Sequence, residues 1–133
     1  MTRSRALRLV VMIVAMLCLA PTPGDIGGCG QTAEDLDPAV FFSTLAATDC
    51  RACQSCGFPS ATCTQACDTK TPIPAAFSAG CAPLAHDGEV CLRRLQNDSC
   101  SVYQRYVADD EAGKAVPLTS RPRPSECQFC PVP

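Results

Sequence analysis

Aliphatic and aromatic side chains are scarce in most of this chain. It has no tryptophan, two tyrosines and five phenylalanines. Residues 29–133 contain only 18 Leu, Ile, Val and Phe among 105 positions, which is below the roughly one fifth expected of an ordinary globular domain. Because apolar burial must offset the conformational entropy lost on folding, a conventional hydrophobic core is excluded as the sole support of this fold.

Histidine is nearly absent too, since His86 is the only one. A Ser–His–Asp or Cys–His catalytic unit would have to use it, but His86 precedes Asp87-Gly88, which is typical of an exposed turn. The chain also lacks the G-x-S-x-G and H-E-x-x-H motifs of known hydrolase classes. The sequence therefore predicts no enzyme activity, no catalytic residue, no metal and no cofactor.

Basic charge is sparse and scattered. Residues 29–133 carry eight Lys and Arg against twelve Asp and Glu, with no basic stripe. A nucleic-acid partner is therefore not expected.

Long apolar runs are missing except at the N-terminus. Arg3, Arg5 and Arg8 accompany the run Leu7–Ala20, and fourteen residues are too few for a transmembrane helix, which needs about 20. A basic flank followed by a short apolar run predicts a signal peptide over residues 1–28. A buried N-terminal core helix is the alternative, and no second apolar run predicts a membrane span.

The end of this segment carries a short motif, Ile26-Gly27-Gly28-Cys29. It resembles the lipobox of bacterial lipoproteins, in which an aliphatic and two small residues precede a cysteine. The resemblance implies that Cys29 is acylated, becomes the first mature residue and attaches the protein to a membrane through lipid. Gly30 after it would imply the outer membrane. Simple cleavage, with release to the periplasm or the medium, is the alternative.

Cysteine is what the sequence has in abundance, with twelve residues. Removing Cys18 with the signal peptide and Cys29 by acylation leaves an even number, which can pair completely. At this density disulfides can replace a thin core, each contributing about 2–4 kcal/mol. The ten disulfide candidates are Cys50, Cys53, Cys56, Cys63, Cys67, Cys81, Cys91, Cys100, Cys127 and Cys130.

The cysteine spacing leaves three interpretations open. Structural disulfides are the first, with clustered cysteines pairing to distant partners; a bridge from the 50–56 cluster to the C-terminal pair would tie down the segment between them. A metal site is the second, because C-x2-C-x2-C resembles the start of a bacterial ferredoxin motif and the pairs Cys53/Cys56 and Cys127/Cys130 could bind zinc. A redox pair at Cys50-Arg51-Ala52-Cys53 is the third.

The pattern along the chain predicts a small, disulfide-rich, mostly α-helical fold with long loops and no strands. Residues 29–36 are predicted to be a flexible tether and residues 37–133 the domain. Asp37-Pro38 is a helix start, and Ser60 is a second N-cap. Short helices are expected around 38–47, 60–68, 89–96 and 100–107, with a cysteine-bearing loop at 49–59 and a polar linker at 109–126.

Part of the chain resembles cysteine-rich lipoproteins of Gram-negative bacteria. The resemblance covers the regions 81–107 and 127–131 and rests on Asp87–Leu92, Ser99-Cys100, Tyr103 and Ser125–Pro131. It implies a location in the cell envelope and no activity.

The sequence thus predicts an exported cell-envelope protein, lipid-anchored and non-enzymatic, that binds an unknown envelope protein or extracellular ligand. A metal or iron–sulfur protein of the envelope is one alternative. A secreted disulfide-rich effector or inhibitor is the other.

Overall fold

A computed structural model describes residues 33–130. It contains four α-helices, α1 (Pro38–Cys56), α2 (Ala61–Cys67), α3 (Ala85–Gln96) and α4 (Cys100–Tyr103), and two 3₁₀ turns, Leu118–Ser120 and Ser125–Cys127. This part of the chain has no β-strand, and Asp35 and Leu84 form an isolated antiparallel bridge. The fold is therefore small, mostly helical and joined by loops, as predicted.

Helix α1 starts where the sequence indicates. The Asp37 carboxylate accepts a hydrogen bond from the backbone N–H of Val40 at 3.0 Å, and Pro38 occupies the first turn. The helix then continues to Cys56, so its predicted end at residue 47 and the predicted loop at 49–59 were wrong. No glycine or proline interrupts residues 39–56, and Gly57, with φ of 70°, closes the helix by donating to the Cys53 carbonyl.

Helix α2 is anchored at its N-terminus from a distant part of the chain. Ser60 is its N-cap, accepting from the Cys63 N–H, as predicted. The Asp109 carboxylate accepts from the N–H groups of Ala61 and Thr62 at 2.9 and 2.7 Å. Those hydrogen bonds hold the pKa of Asp109 below its ordinary value, so an ionised carboxylate satisfies donors that the helix leaves free.

Helix α3 begins four residues earlier than predicted, at Ala85, because Asp87 accepts from the Leu84 N–H and closes the first turn. Residues 34–36, predicted as the end of the tether, pair with the chain just before this helix. Leu36 donates to the Pro83 carbonyl at 2.9 Å and Ala85 donates to the Glu34 carbonyl at 2.8 Å. This part of the tether therefore belongs to the folded domain.

Helix α4 ends at Tyr103, not at residue 107, and turns carry the chain on. Tyr103, Tyr106 and Val107 are nevertheless buried. They join the core formed by Phe41, Phe42 and Leu45 of α1 with Cys91 and Leu95 of α3.

Five disulfides join these elements. Cys50–Cys67 and Cys53–Cys63 attach α1 to α2, and Cys56–Cys100 attaches α1 to α4. Cys91–Cys127 and Cys81–Cys130 attach the C-terminal segment to α3 and to the loop before it. The bridge expected between the 50–56 cluster and the C-terminal pair was therefore wrong: the two cysteine groups belong to separate sets of disulfides.

A buried ion network beside an aromatic cleft

The most deeply buried charge is on α1. The Asp49 side chain is 0 % exposed, and the side chains of Arg121 and Arg123 around it are 1 % and 9 % exposed. Arg123 donates to both carboxylate oxygens, at 2.8 and 2.6 Å, and Arg121 donates to one of them at 2.6 Å. The Tyr103 hydroxyl donates to the other oxygen at 2.6 Å. A carboxylate removed from water is thus surrounded by four donors.

The charge state of this cluster follows from its contacts. Burial by itself raises the pKa of Asp49, but the hydrogen bonds and charge of Arg123, together with Tyr103 and Arg121, outweigh burial and hold the pKa below its ordinary value. Burial and the adjacent Asp49 carboxylate raise the pKa of Tyr103, so its hydroxyl keeps its proton. The cluster therefore contains two guanidinium cations and one carboxylate.

Both arginines lie in the segment that was predicted to be a polar linker, which corrects that prediction. The sequence there is Arg121-Pro122-Arg123-Pro124. A residue before proline is driven out of the helical conformation, and Arg121 is extended, with ψ of 138°. Residues two apart in an extended segment lie on the same side, which lets both guanidinium groups meet one carboxylate.

The rest of this segment is held down by polar contacts to α2 and its own backbone. The Val116 N–H donates to the Thr62 hydroxyl at 2.9 Å. Arg121 donates through Nε to the Val116 carbonyl at 3.0 Å and through Nη2 to the Gln65 amide oxygen at 3.2 Å. Residues 116–123 are therefore part of the packed structure.

A cleft with a volume of about 640 Å³ opens next to this network. Four of the five phenylalanines wall it: the ring centroids of Phe41 and Phe129 are 5.5 Å apart, and those of Phe42 and Phe77 are 5.2 Å apart. Phe41 and Phe42 are buried, whereas Phe77 and Phe129 are half-buried. We call this feature the aromatic cleft; its volume lies in the range of small-molecule sites, roughly 300–1,000 Å³.

Two disulfides hold the C-terminal segment that carries Phe129 against the rest of the cleft. Phe129 lies between Cys127 and Cys130, which are bonded to Cys91 and Cys81. The Gln128 amide also donates to the Arg123 carbonyl at 2.9 Å. A wall tied at both sides of its aromatic residue keeps its position without a ligand, which lowers the entropic cost of binding one.

The charged side chains that line the aromatic cleft are all positive. Arg121 and Arg123 line the aromatic cleft with hydroxyl and amide side chains, and among residues 33–130 no Asp, Glu or His does. The uncharged polar lining side chains are Ser78, Thr119, Ser120 and Gln128. The cleft is thus lined by aromatic side chains and by two arginines.

All ten candidate cysteines are bonded in disulfides. Cys50 and Cys53, the predicted redox pair, bond to Cys67 and Cys63 and not to each other. The four sulfurs of the zinc interpretation are likewise in four different disulfides, so thiolate ligation would require breaking those bonds. Within the described chain no group of three or more His, Cys, Asp or Glu could hold a metal ion.

The histidine, the predicted lipidation site and the search for membrane spans complete the comparison with the sequence. His86 is exposed, but it lies in the first turn of α3 and not in a loop. Cys29 and the signal segment lie outside the described residues. Of the helices between residues 33 and 130, none is long and apolar enough to cross a bilayer.

Comparison with protein-family models, with curated proteins and with solved structures found no match to this chain. Its chemistry is therefore inferred from its own contacts. Five disulfides in so short a domain fit a protein of the cell envelope or the extracellular space, where thiols are oxidised.

Sequence reasoning missed the ion network and the cleft. Asp49 was placed at the start of the predicted cysteine-bearing loop, and Arg121 and Arg123 within the predicted polar linker. The sequence did offer one signal, the motif Arg121-Pro122-Arg123-Pro124. Its two prolines restrict the backbone in a segment that shows no hydrophobic periodicity. The carboxylate partner lies 72 and 74 residues away, and no local pattern identifies it.

Proposed function

We propose that this protein is an exported, non-enzymatic binding protein of the cell envelope that holds a small, largely apolar molecule in the aromatic cleft. The aromatic cleft itself carries the proposal, because it combines four phenylalanines with a wall pinned by two disulfides. Binding is favoured over catalysis because no carboxylate or imidazole from residues 33–130 lines the cleft, so none faces its hydroxyl groups as a general base.

The binding test uses a neutral aromatic probe, N-phenyl-1-naphthylamine, whose fluorescence rises in apolar surroundings. We expect saturable binding with one probe per chain. Replacing Phe129 or Phe77 with alanine should weaken it about 2- to 10-fold, the effect of losing one aromatic contact. Phe58→Ala is the matched control, because Phe58 is also half-buried but lies outside the aromatic cleft. Equal losses in all three variants, or no saturable binding, would contradict the proposal.

The location is a second part of the proposal. The lipobox-like motif before Cys29 supports a lipid anchor at that cysteine, in the outer membrane, and the disulfides support an oxidising compartment. Intact mass spectrometry of protein from its native host should give a mass that begins at Cys29 and includes acyl chains.

A fractionation experiment separates the anchored form from a released one. Cys29→Ser should move the protein from the membrane pellet to the soluble fraction or the medium, whereas Cys18→Ser should leave it in the pellet. Wild-type protein found in the medium without acyl chains would favour the secreted alternative.

A further inference from the structure

The two arginines of the ion network are not equally satisfied. Arg121 donates through Nε, Nη1 and Nη2 to acceptors in Val116, Asp49 and Gln65. Arg123 donates only through its two Nη atoms, and both bonds go to Asp49. Its Nε is buried and has no acceptor within the described chain. Arg123 is therefore the guanidinium with hydrogen-bonding capacity left.

The charges of the cluster do not cancel, and the excess is positive. Asp49 neutralises one of the two arginines, which leaves one positive charge in a region that is almost inaccessible to water. Buried charges are normally paired, because desolvation of an uncompensated one is costly. No acidic residue between positions 33 and 130 lines the aromatic cleft to supply the missing negative charge.

We propose that the aromatic cleft binds an amphipathic monoanion, a carboxylate or sulfonate with an aromatic or aliphatic body, whose charged group pairs with Arg123 while its body packs against Phe77 and Phe129. The proposal rests on the binding function above and names its ligand class. Arginine suits this role because a guanidinium has five N–H groups, and Asp49 accepts from only one on each Nη atom, which leaves others, Nε among them, for the oxygens of the anion. Asp49 holds the guanidinium in place, so little conformational freedom is lost when the anion binds.

The test compares two probes that share one body. N-phenyl-1-naphthylamine is neutral, and 8-anilinonaphthalene-1-sulfonate adds only a sulfonate. Because a hydrogen bond to a charged group within a desolvated site is worth about a tenfold gain in affinity, the sulfonate should bind about tenfold more tightly to the wild-type protein at low salt. Equal affinity for the two probes, with the neutral probe bound, would overturn the anion proposal and leave the binding function intact.

Two variants assign the charge to Arg123. Arg123→Gln should remove the preference for the sulfonate while retaining binding of the neutral probe, and Arg123→Lys should recover part of it. Arg51→Gln is the control, since Arg51 is an exposed arginine on α1 that does not line the cleft. An unchanged preference in folded Arg123→Gln would contradict the assignment. Because Arg123→Gln could fail to fold, the two-probe comparison on wild-type protein stands without it.

Competition then identifies the body of the ligand. Dodecanoate and 2-naphthoate should each displace the sulfonate probe, and the stronger competitor shows whether an aliphatic or an aromatic acid fits better. Dodecanol and 2-naphthol should compete about tenfold less well, since they lack the charge. If sedimentation instead shows dimers whose formation displaces the probe, the occupant is a second copy of this chain, which contradicts a small-molecule ligand.

Discussion

Asp49 receives hydrogen bonds from three side chains that come from two other parts of the chain, Tyr103 and the Arg121/Arg123 pair. A buried ion pair adds little folding stability when it is compared with apolar side chains of similar volume. Loss of one charged partner, however, leaves the others buried, charged and unpaired, which is strongly destabilising. Loss of Asp49 should therefore destabilise the packing of residues 116–123, in which no residue forms a disulfide.

The first prediction at this scale is that Asp49→Asn lowers the free energy of unfolding by about 3–5 kcal/mol at pH 7, because two buried guanidinium groups lose their counter-charge. Urea unfolding with the disulfides intact measures it. Asp35→Asn makes the same chemical change at an exposed position and should stay within about 0.5 kcal/mol of wild type. A loss as small for Asp49→Asn as for the control would show that the network contributes no stability.

The pH dependence gives a second prediction for the same carboxylate. Its pKa in the folded protein lies below its ordinary value of 3.8. The stability it contributes is therefore fully present above that value and is lost as the pH falls through 3.8 and then through the lower folded pKa. The stability gap between wild type and Asp49→Asn should narrow from pH 7 to pH 3. A gap that stays constant over this range would mean that Asp49 is not ionised in the folded protein.

At the scale of elements, the length of α1 decides the arrangement of the site. One uninterrupted helix places Phe41, Asp49 and the cysteines Cys50, Cys53 and Cys56 on a single rigid body. The start of this helix was predictable, because Asp37 and Pro38 act locally. Its continuation was missed because three closely spaced cysteines were taken to indicate a loop, whereas residues three apart follow one face of a helix.

The contact between α3 and residues 34–36 leads to the third prediction. A Cβ atom added at Gly88 would lie 2.7 and 2.8 Å from the two methyl carbons of Leu36. Gly88→Ala should therefore destabilise the protein by up to about 2 kcal/mol, since overpacking costs about 1–3 kcal/mol against a gain in helix propensity of about 1 kcal/mol. In a Leu36→Ala background the same substitution should be neutral or stabilise by up to about 1 kcal/mol.

Thermal or urea unfolding of the four proteins in this cycle measures the coupling between the two positions. An additive result would show that residues 34–36 do not pack on α3. The tether prediction would then be correct as far as residue 36.

At the scale of the whole molecule, the disulfides form two sets that share no element. One set joins α1, α2 and α4, and the other joins the loop at Cys81, α3 and the C-terminal segment. Apolar packing of Phe41 and Leu45 with α3, and the Asp49–arginine network, connect the two sets without covalent bonds. The aromatic cleft lies between elements of both sets, which makes its shape sensitive to that non-covalent contact.

The fourth prediction is a peptide map. Trypsin digestion of alkylated, unreduced protein should give two disulfide-linked groups. The first contains the peptide that ends at Arg51 with residues 52–70 and 95–105, and the second contains residues 71–93 and 115–133. Any peptide linking residues 52–70 to 115–133 would restore the bridge predicted from sequence and contradict this pairing. Alkylated cysteines among the ten would indicate free thiols and favour the metal alternative.

The sequence by itself determined the class of this protein. A deficit of apolar residues with ten cysteines requires disulfides, and Asp37-Pro38 and Ser60 start helices by contacts within four residues of themselves. Tertiary structure alone decided which cysteines pair, because ten allow roughly a thousand full pairings that local spacing cannot distinguish. It also decided that Asp49, Arg121 and Arg123 are buried, because the cost of burying each charge depends on partners more than 70 residues away.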